Sequence, residues 1–246
     1  MYMYTRIVDI LDQYFNERWF LDSGSLLGVI RDGKFLKQDK GIDISVIIDD
    51  YHNPSLEECV KKLRKTGFVI SRYQWDGVTY KYCLAPKKSC SIKYAIDLHL
   101  FKLVDGKYVC PQMQIERSSF KLVTVLRSLR KGNLYYEKYK QKYTGILFKV
   151  TEKLYRDVFE YFGRPMNMND LTLEKEDNIY KWVIPESLYH GTVRENHYGF
   201  NVLKDCDDYL QFRYADWHVP VSDWVTLRDD GGIEHSSIRE IRQLLH

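Results

Sequence analysis

Long apolar runs are missing from this sequence. No stretch of its 246 residues approaches the roughly 20 consecutive apolar positions that a membrane-spanning helix needs, which argues against a helical membrane protein. Paired cysteines are missing too. Cys59, Cys83, Cys90, Cys110 and Cys206 are odd in number and scattered, with no CxxC pair, so free thiols in a reducing compartment fit better than a disulfide framework. His190, His197, His218 and His235, taken with Cys206, lack any zinc-ligand spacing. A one-sided charge is also absent, because a formal net charge of +3 is too small to argue for nucleic-acid binding. There is no internal repeat and no low-complexity linker. The opening segment, MYMYTRIVDILDQYFNERW, carries charges throughout and reads as an amphipathic helix rather than a signal peptide. The expectation is a soluble, cytoplasmic protein.

What the sequence has in abundance is tyrosine, 20 in all. Such rings either line polar grooves or pack with their apolar bodies inward. Ile7, Ile10, Leu11, Tyr14 and Phe15 recur at helical spacing and predict a first helix over about 3–18. Trp19 to Asp22 is a short apolar run feeding a Gly24-Ser25 turn. Leu26 to Ile30 follows as a turn or two of helix, closed by Asp32-Gly33. Ile42 to Ile48 is β-branched and nearly continuous, as in a strand buried on both faces. Pro54-Ser55 opens a helix that runs to Lys65. Phe68–Tyr73, Val78–Ala85 and Ile92–Val104 read as strands, and Asp105-Gly106 turns the last into Lys107–Cys110. Helices are expected from Phe120 to Gly132, from Ile146 to Phe162, over DDYLQFRYADW and over SSIREIRQLLH, with Asp223 to Asp230 a loop. The order describes an α+β protein, a mixed sheet with packed helices. Its core is expected over 1–118. A mostly helical or irregular part over 119–246 completes the substrate cleft, or continues the same domain.

The stretch from Asp22 to Ile48 carries the chemistry. Glycine allows close backbone approach, and a helix start offers free N–H groups to a phosphate. Asp39, Gly41 and Asp43 are spaced by two, so on an extended chain they share one face. Carboxylates beside a phosphate cradle point to divalent-metal phosphoryl chemistry. Residues 39 and 43 would be roughly 13 Å apart if fully extended, from about 3.3 Å per residue, so sharing one ion requires a turn between them. A second acidic feature lies in Ala95–Phe101, where Asp97 and His99 share one face of an apolar strand. Such a carboxylate is either ion-paired or holds a cation, and neighbouring strands would bring Asp43 and Asp97 together. His99 is either a base or structural. Lys121, Arg127, Arg130 and Lys131 with Tyr135, Tyr136 and Tyr139 form either a basic aromatic groove or a solvated helix face.

GSLLGVIRDGKFLKQDKGIDI, residues 24–44, resembles the hallmark of the LicD-type phosphotransferases, which include the fukutin-related proteins. That hallmark reads roughly G-T-L-L-G-x-x-R-x-x-x-F-I-P-W-D-x-D-x-D-I and aligns without a gap. Gly24, Ser25 for threonine, Leu26, Leu27, Gly28, Arg31, Phe35, Asp39, Asp43 and Ile44 match. IDLHLF is similar to the family's third acidic strand, and Tyr209, Leu210, Tyr214, Asp216, Trp217 and Pro220 to its C-terminal segment. The departures are Gly41 for an aspartate, Lys37-Gln38 for Pro-Trp, and Ala215 for a glycine.

The resemblance implies a nucleotidyltransferase-like fold. It also implies metal-dependent transfer of a phosphorylated group, such as phosphocholine or a polyol phosphate, from a CDP-activated donor to a glycan hydroxyl. By position it implies Gly24 and Ser25 as a phosphate cradle, with Asp39, Asp43 and Asp97 as ligands of Mg²⁺ or Mn²⁺. Arg31 would either bind phosphate or form a surface ion pair. With Gly41, Asp39 is redeployed, or Asp43 and Asp97 suffice, or the site is weakened. The rival functions are nucleotidyl transfer to a small molecule or protein, and a non-catalytic relative that binds nucleotide or glycan.

Overall fold

A computed structural model describes residues 4–37, 39, 41–75, 77–87, 92, 94–113, 164–167, 179–194, 196 and 198–246. Helix α1 (Thr5–Phe15) buries Ile7, Val8, Leu11 and Phe15 along one face, the periodicity expected of an amphipathic surface helix. The apolar run after it is a three-residue strand, β1 (Trp19–Leu21), fully buried. Asp22 then caps helix α2 (Ser23–Asp32) by accepting from Ser23 N–H, and Gly33 closes it in the left-handed conformation at φ 67°. Gly24 and Ser25 therefore belong to the first turn of α2 rather than to a turn before it, because the capping aspartate starts the helix at once.

Strand β2 (Gly41–Ile48) is buried along most of its length. Helix α3 (Pro54–Arg64) is capped by Asn53 rather than by Ser55, whose N–H donates to the Asn53 side chain. Strands β3 (Phe68–Trp75), β4 (Val78–Pro86), β5 (Ala95–Val104) and β6 (Lys107–Met113) follow. The β5–β6 hairpin turns on Asp105 at φ 49° and Gly106 at φ 73°, the two positive angles that its two-residue turn demands. Strands β7 (Arg164–Asn167) and β8 (Ile179–Pro185), short β9 (Thr192–Val193) and β10 (Val202–Leu203), helices α4 (Cys206–Tyr214) and α5 (Thr226–Asp229), strand β11 (Ile233–His235) and helix α6 (Ile238–Leu245) complete the described elements. The α6 helix is capped by a reciprocal Ser237–Glu240 box. The expected loop at 223–230 contains the single turn of α5.

Strand β5 is the hub of a nine-stranded mixed sheet. Strand β2 runs parallel to its residues 95–102, β4 pairs antiparallel with 96–99, and β6 antiparallel with 102–104. Antiparallel β8 extends the sheet beyond β6, and β11 beyond β8. The later part of the chain thus supplies strands to the same sheet as the first part, beyond the helical content expected of it. The expected boundary at 118, the helices over 120–132 and 146–162, and the basic aromatic face at 121–139 lie outside the described residues. Among the described residues Tyr4, Tyr51, Tyr80, Tyr82 and Tyr209 are buried tyrosines, and Cys59, Cys83 and Cys110 are buried outside any disulfide. Among the described residues no helix is long and apolar enough to cross a membrane.

Candidate active site

Strand register brings the two aspartates together. In the parallel β2–β5 pair, Asp43 lies opposite Asp97 and Ser45 opposite His99. Side chains two apart on a strand share a face, so both carboxylates and the imidazole converge. One oxygen of each aspartate and one ring nitrogen of His99 all lie within 4.8 Å of one another. His99 is buried, whereas Asp43 and Asp97 each keep 30% of the side chain exposed.

The partners of this cluster fix its protonation. Gln112 Nε2 donates to His99 Nδ1 at 3.1 Å, which leaves His99 Nε2–H to donate to Asp43 Oδ1 at 3.2 Å. Burial, and then the nearby Lys81 ammonium, push the imidazole pKa down against the pull of Asp43, so the ring is neutral at physiological pH. Lys81, on β4 and opposite His99, places Nζ 2.7 Å from Asp97 Oδ2. Burial, the largest single influence, opposes ionisation of Asp97, yet the Lys81 charge and hydrogen bond, with smaller contributions from its other neighbours, together hold this carboxyl below the usual range. The other oxygen, Asp97 Oδ1, is buried without a hydrogen-bond partner, and the Cys83 thiol on the facing strand also favours the ionised carboxylate. An ionised oxygen removed from water without a donor is costly, and a cation would relieve it. Two carboxylates on one face suit a hard divalent ion, so the residues present fit Mg²⁺ or Mn²⁺.

Asp43 also lines a cleft of about 400 Å³. Its lining also includes Ser23, Gly24, Leu27 and Arg31 of α2, Leu36 and Asp39, and from the later part of the chain Trp182, Tyr214, Trp217, Trp224 and Asp230. Strand β2 begins at Gly41, so the two-residue spacing puts only Gly41 and Asp43 on one strand face. Asp39 belongs to the preceding turn, its N–H bonded to Leu36 O at 3.1 Å, and that turn carries it into the cleft. Its carboxylate lies over Gly24, where any β-carbon would collide with Asp39 Oδ2. Burial, and then the charge of Asp43, push the Asp39 pKa up to about 6.

Ser25 is fully buried, and its Oγ accepts the Asp43 N–H at 2.9 Å. This hydroxyl ties α2 to β2 and does not line the cleft. Arg31 pairs with Asp32 at 2.8 Å, and it also lines the cleft, with NH1 3.4 Å from Trp217 O.

Beneath the cleft lies a charged network that sequence reasoning missed. Asp22, fully buried, accepts hydrogen bonds from Ser23 N–H, Ser45 Oγ, Tyr209 OH at 2.6 Å and Arg213 NH1 at 3.0 Å. Arg213 also forks onto both oxygens of Asp230 and packs 5.1 Å from the Trp182 ring centre. Burial opposes the charge on Asp22, but Arg213 and the donors hold its pKa low. Asp22 was legible as a cap directly before Ser-Gly-Ser, and Lys81 as the lone cation in VTYKYCLAP. Nothing local marked Arg213 as buried, and Gln112 carried no signal either.

A comparison with curated proteins found no match. Residues 16–122 match the family model described as LicD/FKTN/FKRP, nucleotidyltransferase domain. That span holds α2, β2 and β5, and with them Asp39, Asp43, Asp97 and His99. Residues 16–122 are thus similar to the LicD-type nucleotidyltransferase domain.

Proposed function

We propose that this protein is a metal-dependent transferase. It moves a phosphorylated substituent, such as phosphocholine or a polyol phosphate, from a CDP-activated donor to a glycan hydroxyl. The observation that carries this reading is the in-register pair Asp43 and Asp97, of which Asp43 lines the cleft, within the stretch that matches a LicD-type domain. Asp43 and Asp97, with Asp39 close by, hold Mg²⁺ or Mn²⁺. The ion, when bound, neutralises charge on the transferring group and the leaving phosphate.

The remaining steps belong to the chain's own side chains. Gly24, lacking a side chain, would leave room for a phosphate at the start of α2, in the space beside the Asp39 carboxylate. Arg31 forks onto a donor phosphate. The neutral His99 ring, anchored by Gln112, holds Asp43 in orientation through Nε2–H. Trp182, Tyr214 and Trp217 keep water from the transferring group.

The test is a thermal-shift screen of CDP-choline and CDP-polyols with and without Mg²⁺, followed by measurement of CMP release. A donor that stabilises the folded chain only with Mg²⁺, and CMP release abolished by Asp43→Ala and by Asp97→Ala, is the expected result. Full activity in either variant sinks the assignment, and pyrophosphate release would point to nucleotidyl transfer instead. Gly41, where the hallmark carries an aspartate, favours a second reading as a nucleotide- or glycan-binding relative. Metal-independent binding of CDP without turnover is the outcome that would select it.

A further inference from the structure

We propose that Lys81 is a resident cation of the acidic cluster, standing where one divalent ion would otherwise be held, so that the site takes up a single ion. The inference rests on the metal-dependent reading above. Lys81 projects from β4 opposite His99, onto the face that carries Asp97. Its side chain is 14% exposed, with Nζ 2.7 Å from Asp97 Oδ2 and 5.3 Å from the Tyr73 ring centre.

Two-ion sites need carboxylates that bridge, offering one oxygen to each of two ions about 3.5–4 Å apart. Asp97 cannot bridge while Lys81 holds Oδ2, and only Oδ1 remains without a partner. Gly41 removes a further carboxylate from the face of Asp43. Its position would accept one sterically, because a β-carbon there meets only Ala95 O, at 3.6 Å. The cluster has therefore one carboxylate fewer than the hallmark and one fixed ammonium beside those that remain. Asp39, Asp43 and Asp97 bring three negative charges when ionised, and Lys81 cancels one, leaving two. A single divalent ion is what this balance favours, and the ammonium weakens its binding by direct repulsion.

Mn²⁺ titration of the full chain, read by calorimetry and by the paramagnetic resonance of free Mn²⁺, tests this without any turnover. Wild type is expected to bind one Mn²⁺. Lys81→Met is expected to bind a second, or to bind the first at least tenfold more tightly, with Lys81→Arg behaving as wild type. Lys81→Gln, which keeps a hydrogen-bond donor for Asp97, serves if the Met variant does not fold and is expected to shift in the same direction. Two ions in wild type, or unchanged or weaker binding in a folded neutral variant, overturns the proposal. If wild type binds no Mn²⁺ while the neutral variant does, the role of Lys81 stands and metal-dependent transfer falls. If neither binds, both fall.

Discussion

Asp39→Asn is expected to stabilise the metal-free protein at neutral and alkaline pH, and only there. Asp39 has its pKa raised from 3.8 to about 6 by burial and by Asp43, so the folded state binds its proton more tightly than the unfolded chain does. Linkage then requires stability to fall as pH rises from about 3.8 to 6 and to stay lowered above that. Below 3.8 both states are protonated and the penalty vanishes. A shift of about two units corresponds to roughly 3 kcal/mol at 1.36 kcal/mol per unit. Asp39 is only half-buried, and solvent screening reduces this to about 1–1.5 kcal/mol. For a chain of this size that is about 2–6 °C in Tm. The assay is thermal unfolding in EDTA from pH 3.5 to 8, followed by a repeat at pH 8 with saturating Mg²⁺. The gain from Asp39→Asn should grow across pH 4–6, plateau above it, and shrink or reverse with Mg²⁺, because an ion converts the repulsion between carboxylates into shared attraction. A gain independent of pH, or none at pH 8, would refute the placement of Asp39 against Asp43.

Three further outcomes follow from the same geometry. Arg213→Met leaves Asp22 and Asp230 buried without their shared cation, so urea denaturation should register a loss of about 3–5 kcal/mol. Gly24→Ala pushes a methyl group into the Asp39 carboxylate; in a double-mutant cycle with Asp39→Ala the two changes should couple by at least about 0.5 kcal/mol, and additive effects would contradict the contact. Ala215 ends α4 at φ 53° and ψ −116°, a conformation that strains any side chain, so Ala215→Gly should raise stability by about 1 kcal/mol after the entropic cost of glycine, measured as an increase in Tm.

Much of this was readable before any coordinates. The β-branched run after Gly41, the Asp105-Gly106 turn and the two-residue spacing of Asp97 and His99 are local signals, and local signals survive folding. The meeting of Asp43 and Asp97 was readable as a possibility, since neighbouring strands bring such residues together, but the register that sets them opposite each other is a tertiary fact. Reading Asp39, Gly41 and Asp43 as one extended face failed at its first member, because Asp39 bonds back to Leu36 and strand β2 begins only at Gly41. The short elements after 166 hid β8, although Trp182-Val183-Ile184 is an apolar, partly β-branched run. Arg213 was the least legible. A buried charge is defined by partners far away in the sequence, and no pattern within a few residues announces them. The glycine expected at Ala215 gains a physical reason from the angle the chain adopts there.

The pairing of β6 with β8 bears on how this protein can be handled in pieces. Residues 107–113 are hydrogen-bonded on one side to 179–185, which lie well past the end of the family-matching stretch. A fragment trimmed to 16–122 would present that side of β6 as a raw edge of unpaired N–H and C=O groups, a template for chain-to-chain association. It would also lose the Arg213 counter-charge that keeps Asp22 tolerable in the interior. Trimming to the recognisable part of the sequence is therefore expected to yield insoluble material, whatever the state of its acidic residues.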